Sequence, residues 1–236
     1  MTMWRQVWLG GVLLLAGGVA AAGQNATMVL YQVLEPGFEP YSSRLIVTPR
    51  YLRMDDGDAA SSFVLFDRKR NVIHSVTHND RTVLEIPLQA VTVESPVALR
   101  MEHKVVTTDE PLPAIAGRTP RQLHLSVNGE QCYDLVAVEG LLDDVVAALR
   151  AFRTVLAGEN ARILTEVPAD MQDPCDLALN TYAPDWQLRF GLPIQESDPQ
   201  GKGQLLLDYS TDYPADAALF TLPKGYQRYS PGGALP

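Results

Sequence analysis

Three aspartates fall within four residues, Asp55, Asp56 and Asp58, around Gly57. Carboxylates at that density are what a calcium loop uses. Such a loop, however, sets its acids at D-x-[DN]-x-[DN]-G spacing with a glutamate further on, and DDGD lacks both. Asp and Gly also serve where a chain reverses, because glycine accepts positive φ and Asp bonds its own backbone. The flanking segments both carry strand patterns, so the cluster is assigned to a turn. Four histidines remain as ligands or bases: His74, His78, His103 and His124. His74 and His78 are four apart, but in strand-and-turn context rather than on a helix, and no H-E-x-x-H occurs. His103 and His124 are placed to meet across neighbouring strands, where packing or exposure accounts for them as well as a metal does. There is no G-x-S-x-G, no S-x-x-K with partners and no catalytic cysteine signature. GKGQ at residues 201–204 is too short for a phosphate loop. No catalytic residue, metal site or cofactor is expected, and the chain is not expected to be an enzyme.

The two cysteines, Cys132 and Cys175, match no zinc or redox spacing, which needs a close C-x-x-C pair. Two free thiols and a metal pair are the rival readings; a disulfide is preferred for an exported chain.

The elements that would position these residues are mostly strands. Alternating β-formers recur over residues 27–34, 44–48, 51–54, 62–67, 71–77 and 81–86. Turn-prone clusters separate them (DDGD, DRKRN, HND), which is the pattern of an antiparallel meander. Residues 88–99 are ambiguous. Segments 101–107 and 122–128 are further strands, and Asn128-Gly129 is a hairpin signal. Between them, residues 110–120 hold Pro111, Pro113, Gly117 and Pro120, a loop. Leu142, Val145, Leu149, Phe152 and Leu156 recur at helical spacing, so a helix is expected over residues 141–156, with Asp143 and Asp144 at its start and Gly158 as its stop. A short helix is expected over residues 176–182 and strands over 203–209 and 217–222. Trp186 is assigned to packing rather than ligand stacking. The fold class is α+β, a large curved antiparallel sheet with one major covering helix and minor helices.

The first residues point to export. Arg5, an apolar run from Val7 to Val19 and Ala20-Ala21-Ala22 have the layout of a signal peptide over residues 1–22, an uncleaved anchor being the alternative. The run is short for a membrane span, which needs about 20 residues. A single domain over 23–229 and a flexible tail over 230–236 follow. The formal net charge of −9 disfavours nucleic acid and anionic membrane surfaces, and no integral membrane protein is expected once the leader is removed.

YLRMDD, FVLFDRKRNVIHSV and FTLPKGY resemble the LolA/LolB-like superfamily of lipoprotein carriers, and most closely its uncharacterised periplasmic relatives of the DUF4412 type. The matching residues are Arg53, Met54 and Asp55; Phe66 and Asp67; and Phe220, Pro223, Gly225 and Tyr226. The resemblance implies an open half-barrel whose helices cover an apolar concave face. Leu45, Val47, Leu52, Met54, Phe63, Leu65, Val145, Leu149 and Phe152 are then the expected lining, and the alternative for these residues is a filled core. The aromatic-rich strand of true carriers is not evident. The expected function is a periplasmic or secreted binding protein for a lipid, a lipidated partner or another apolar ligand. The alternative is an envelope assembly factor that binds a partner protein through the loop at 110–120.

Overall fold

The computed structural model describes residues 24–58, 60–107, 112–164, 166–168, 171–231 and 233–234. The expected leader, residues 1–22, lies outside them. Among the described residues, thirteen strands form one open sheet. Strands β1 (Gln24–Leu34), β2 (Tyr41–Val47), β3 (Tyr51–Asp55), β4 (Phe63–Asp67), β5 (Val72–Thr77) and β6 (Thr82–Pro87) make a first antiparallel meander. A second contains β7 (Met101–Val105), β8 (Arg121–Val127), β9 (Glu130–Val138), β10 (Leu192–Ser197) and β11 (Gly203–Ala215). The two meanders are joined where β1 pairs antiparallel with β11. Beyond the first meander, β12 (Gln227–Ser230) returns parallel to β6, and β13 (Gly233–Ala234) pairs with β12. The tail expected from Ser230 onward therefore begins inside the sheet, because β6 offers an unpaired edge that the returning chain satisfies.

The turns follow from their residues. Asp55 Oδ1 accepts from Gly57 N, Asp56 Oδ1 from Asp58 N and Asp58 Oδ1 from Ala60 N, at 2.9–3.0 Å. Each aspartate thus bonds its own backbone two residues on, and DDGD is a chain reversal. At Asn128-Gly129 both φ angles are positive, 55° and 87°, as a two-residue hairpin requires.

Register sets the faces. Val47, Leu52, Phe66, Ile73 and Ile86 are direct cross-strand partners from β2 to β6, and the adjacent row is Ile46, Arg53, Leu65, His74 and Glu85. Directly opposed residues share a face, and successive residues alternate. The first row packs beneath helix α1 (Asp143–Leu164) on what we call the inner face. The second row lies on the outer face, where it meets the chain after β11.

Helix α1 begins with Asp143 and Asp144, which complement the positive helix end. Asp144 Oδ2 also accepts from Thr27 Oγ1 at 2.8 Å, pinning this end to β1. The helix runs past Gly158, its expected stop. A Cβ at Gly158 would stand 2.4 Å from the Gln89 carbonyl oxygen, so the glycine permits a close crossing of the 88–90 segment rather than ending the helix.

The second meander has its own cover. Asp173 caps the short α2 (Pro174–Leu177) by accepting from Asp176 N, with Pro174 at its first position. The chain continues as a π turn, Ala178–Tyr182, and a 3-10 turn, Gln187–Phe190. Ala178, Leu179, Ala183 and Trp186 pack on Leu123, Leu125 and Leu135 of β8 and β9. Cys132 and Cys175 form a disulfide with Cα atoms 5.4 Å apart, fastening this cover to β9. Where a strand is expected over residues 217–222, Ala217–Phe220 is instead a 3-10 turn capped by Asp216. Residues 88–99 form no regular element. Among the described residues no helix is long and apolar enough to cross a membrane.

Candidate functional site

Seven of the nine residues expected to line a cavity meet on the inner face. Leu45, Val47, Leu52 and Val145 are buried there, with Met54, Leu149 and Phe152 packed against them. Phe152 meets Phe66 edge-on, ring centroids 5.9 Å apart. These side chains form the core between sheet and helix. Phe63 and Leu65 lie on the opposite face, packed among Ile46, Val76, Val83 and Phe220. Strand β4 reads FVLF, apolar on both sides, so its alternation alone carried no information about which pair faces inward.

Of the residues behind the carrier resemblance, Met54 and Phe66 face the inner core, while Arg53, Asp55, Phe220 and Tyr226 gather on the outer face. Arg53 Nε donates to Asp55 Oδ2 at 2.5 Å and Nη1 to the Leu219 carbonyl at 2.8 Å, while its guanidinium lies 3.7 Å from the Phe63 ring centroid. Arg44 donates bidentately to Asp55, at 2.8 and 3.0 Å. Burial alone would raise the Asp55 pKa, but the hydrogen bonds from Arg44 and Arg53 outweigh it and hold the carboxyl below its ordinary value. Phe220 stacks on Tyr51, and Tyr226 pairs its hydroxyl with His78 Nδ1 at 2.8 Å. These motif residues clamp the chain after β11 onto the first meander, an architectural task.

The histidines go to separate places. His74 is buried beside Glu85, and burial lowers its pKa. His103 is opposed to Leu125 and packs on the Phe190 ring, whereas His124 is opposed to Lys104 and pairs with Asp134. His103 and His124 therefore point to opposite faces. Among the described residues no cluster of three His, Cys, Asp or Glu side chains is placed to hold a metal.

What gathers polar chemistry is the seam where α1 and the cover over the second meander meet. A cleft of about 210 Å³ opens there. Its apolar wall comes from Phe152 and Leu156 of α1 and from Leu179 and Pro184 of the cover. Its polar wall holds Glu196 of β10, Arg153 of α1 and Gln187. Arg153 Nη1 donates to Gln187 Oε1 at 2.6 Å, while its Nη2 lies 4.0 Å from Glu196 Oε1. The latter distance is an ion pair too long for a hydrogen bond. Glu196 Oε2 is shielded from solvent and has no hydrogen-bond partner among the described residues. Burial raises the Glu196 pKa, opposed by the Arg153 charge. Tyr133 also lines the cleft. Tyr31 is buried close enough to Glu196 to feel its charge: its hydroxyl donates to the Pro193 carbonyl at 2.8 Å, and burial followed by the Glu196 charge raises its pKa.

Sequence reading picked out Phe152 from this group and missed Glu196. The partial signal was Ile194 and Glu196, two apart on one strand, but Pro193 and a bulge between Pro193 and Gln195 break the alternation from Leu192. Leu192 and Ile194 do pack into the inner core.

No protein-family model matches the chain, and no curated protein does. Among solved structures, an uncharacterised conserved protein from Thermus thermophilus aligns with a TM-score of 0.45 at 9% identity, over 88% of this chain and 91% of that one. PNGF-II aligns in two space groups, C2 and P21, with TM-scores of 0.41 and 0.40 at 12% and 11% identity. These alignments span 88% of this chain but only 31% and 32% of PNGF-II.

Proposed function

We propose that this is an exported binding protein that holds a small apolar ligand in the seam cleft. The observation that carries the reading is the composition of that cleft: an apolar wall of Phe152, Leu156, Leu179 and Pro184 faces a few convergent polar groups. That is the usual make-up of a ligand site. The disulfide fits an oxidising compartment, in keeping with the leader-like first 22 residues. The open sheet with one main helix over it supports kinship with the lipoprotein-carrier superfamily. The cleft is smaller than the common range of about 300–1,000 Å³, so an acyl chain would enter only in part, and a compact ligand fits better. Native mass spectrometry of gently purified protein tests the reading, before and after incubation with an apolar extract of the cell envelope. A bound small molecule that is lost on Leu156→Trp, which fills the cleft, supports it. Protein that stays ligand-free throughout overturns it.

A second reading, partner docking, is favoured by one strand. All five residues of β7 are exposed although it ends the sheet, including Met101 and Val105. An uncovered edge is a template for an added strand. The loop at 110–120 lies next to it in the chain. Residues 110–111 are outside the described part, while Ile115 and Arg118 close a tight turn with paired hydrogen bonds of 2.9 Å.

A further inference from the structure

We propose that β7 pairs antiparallel with β7 of a second copy of this chain, about a two-fold axis through His103, so that Glu102 of each copy faces Lys104 of the other. The inference rests on the reading of β7 as a docking edge and names what docks there.

The backbone decides which groups are free. Val106 N donates to Gln122 O and Asn128 N to Arg100 O, both at 2.9 Å, so the even-numbered residues here turn their backbone groups toward β8. Backbone groups alternate sides along a strand, and the register from Met101–Val127 to Val105–Leu123 runs without a bulge. Met101, His103 and Val105 therefore turn their N–H and C=O away from β8, and β7 is the last strand on that side of the sheet. Two copies of this edge satisfy each other only in registers that set odd-numbered residues against odd-numbered residues.

Side chains then choose among those registers. Centred on His103, Met101 lies opposite Val105 of the second copy, and Glu102 lies opposite its Lys104. A slip of two residues one way sets Glu102 against Glu102, and the other way sets Lys104 against Lys104. Like charges directly opposed are destabilising, whereas opposite charges attract. Glu102 and Lys104 also occupy the non-hydrogen-bonded positions, where opposed Cα atoms approach to about 4.5 Å and side chains meet most closely. A single charge on an edge strand repels its own copy. Two opposite charges, two residues apart, repel in the slipped registers and attract in the centred one. Glu102 otherwise pairs with Arg100 at 3.1 Å, an exposed contact that holds little energy.

The apolar side chains agree. Met101 and Val105, 39% and 51% exposed, are opposed to Val127 and Leu123 on the face that carries the cover. In the centred pair each meets the other across the axis, and burial of both is favourable. An isologous contact uses up the edge it is made from. The far edge of the sheet ends in β13, two residues long, so assembly stops at two copies.

The test is sedimentation velocity on the disulfide-intact protein, from micromolar concentrations up to about 1 mM, with the charge reversals Glu102→Lys and Lys104→Glu. So short an edge makes a small interface, and a reversible dimer is expected. Each reversal alone turns the two attractive pairs repulsive and is expected to weaken the dimer by at least about tenfold. Mixing the two variants should restore a dimer with one copy of each, because the lysines of one then face the glutamates of the other. Val105→Pro removes an N–H that points away from β8 and should abolish the dimer while the protein still melts cooperatively. A dimer that ignores both reversals, or variants that fail to pair when mixed, overturns the inference. A parent protein that is monomeric at every concentration overturns it too. If that monomer captures an envelope protein which Val105→Pro releases, the docking reading survives with another occupant; if it captures none, both fall.

Discussion

Asp55 is the residue on which the outer face turns. Its side chain is fully buried between two arginines, one of them Arg53 at 4% exposure. Removing one member of such a group strands the others without a counter-charge, which typically costs about 3–5 kcal/mol. Asp55→Asn is expected to destabilise the protein by that order in urea melts, far more than Asp56→Asn in the same exposed turn. Glu196 gives the opposite sign. Its folded-state pKa is raised, so the folded chain holds the proton more firmly than the unfolded chain does. Its contribution is complete below the unfolded carboxyl value of roughly 4.3 and is lost as pH rises through the folded value. Glu196→Gln should therefore match the parent near pH 4 and exceed it in melting temperature at neutral and alkaline pH, as scanning calorimetry across that range would show. Neither residue declared its surroundings in the sequence. DDGD was legible as a turn because its chemistry is local, whereas the burial of Asp55 depends on Arg44, eleven residues earlier, and on the chain near Leu219.

Helix α1 shows how an element can be legible in its stripe and opaque at its end. The apolar spacing from Leu142 to Leu156 is a property of the helix alone. The role of Gly158 depends on the 88–90 segment crossing it, and nothing local announces a crossing. Glycine in a helix interior is ordinarily worse than alanine by about 1 kcal/mol. Here Gly158→Ala is expected to lower stability instead, by roughly 1–3 kcal/mol as in an overpacked core, because the new Cβ meets a backbone carbonyl at 2.4 Å. The 88–90 segment is held from yielding freely by the Leu88 N to Asn71 O hydrogen bond at 2.9 Å. Chemical denaturation of the variant checks the sign, and a stabilised protein would refute it. The hairpin at Asn128-Gly129 lies at the other extreme, since two adjacent residues determine it. Strand β10 was invisible for a third reason: Pro193 interrupts its β-formers, and a bulge between Pro193 and Gln195 shifts its register.

At the scale of the molecule, the sheet is two meanders sharing one joint, with its far edge sealed by the end of the chain. Deleting residues 227–236 removes β12 and β13 and bares the edge of β6. It also removes the Arg228–Glu85 ion pair at 3.0 Å. The truncated protein is expected to associate beyond a dimer with rising concentration, which light scattering after size exclusion would reveal, while the intact chain does not over the same range. The joint itself carries a consequence in time. A polypeptide leaves the ribosome, or threads a membrane, N-terminus first. Strands β1 to β6 can zip together as they arrive, each closing a short loop. The other side of β1 must wait until residues 203–215 have come through, since a contact so distant in sequence forms late. Through that wait the nascent chain presents a bare central strand, and the slower its delivery, the longer a neighbouring copy has to take the place of β11.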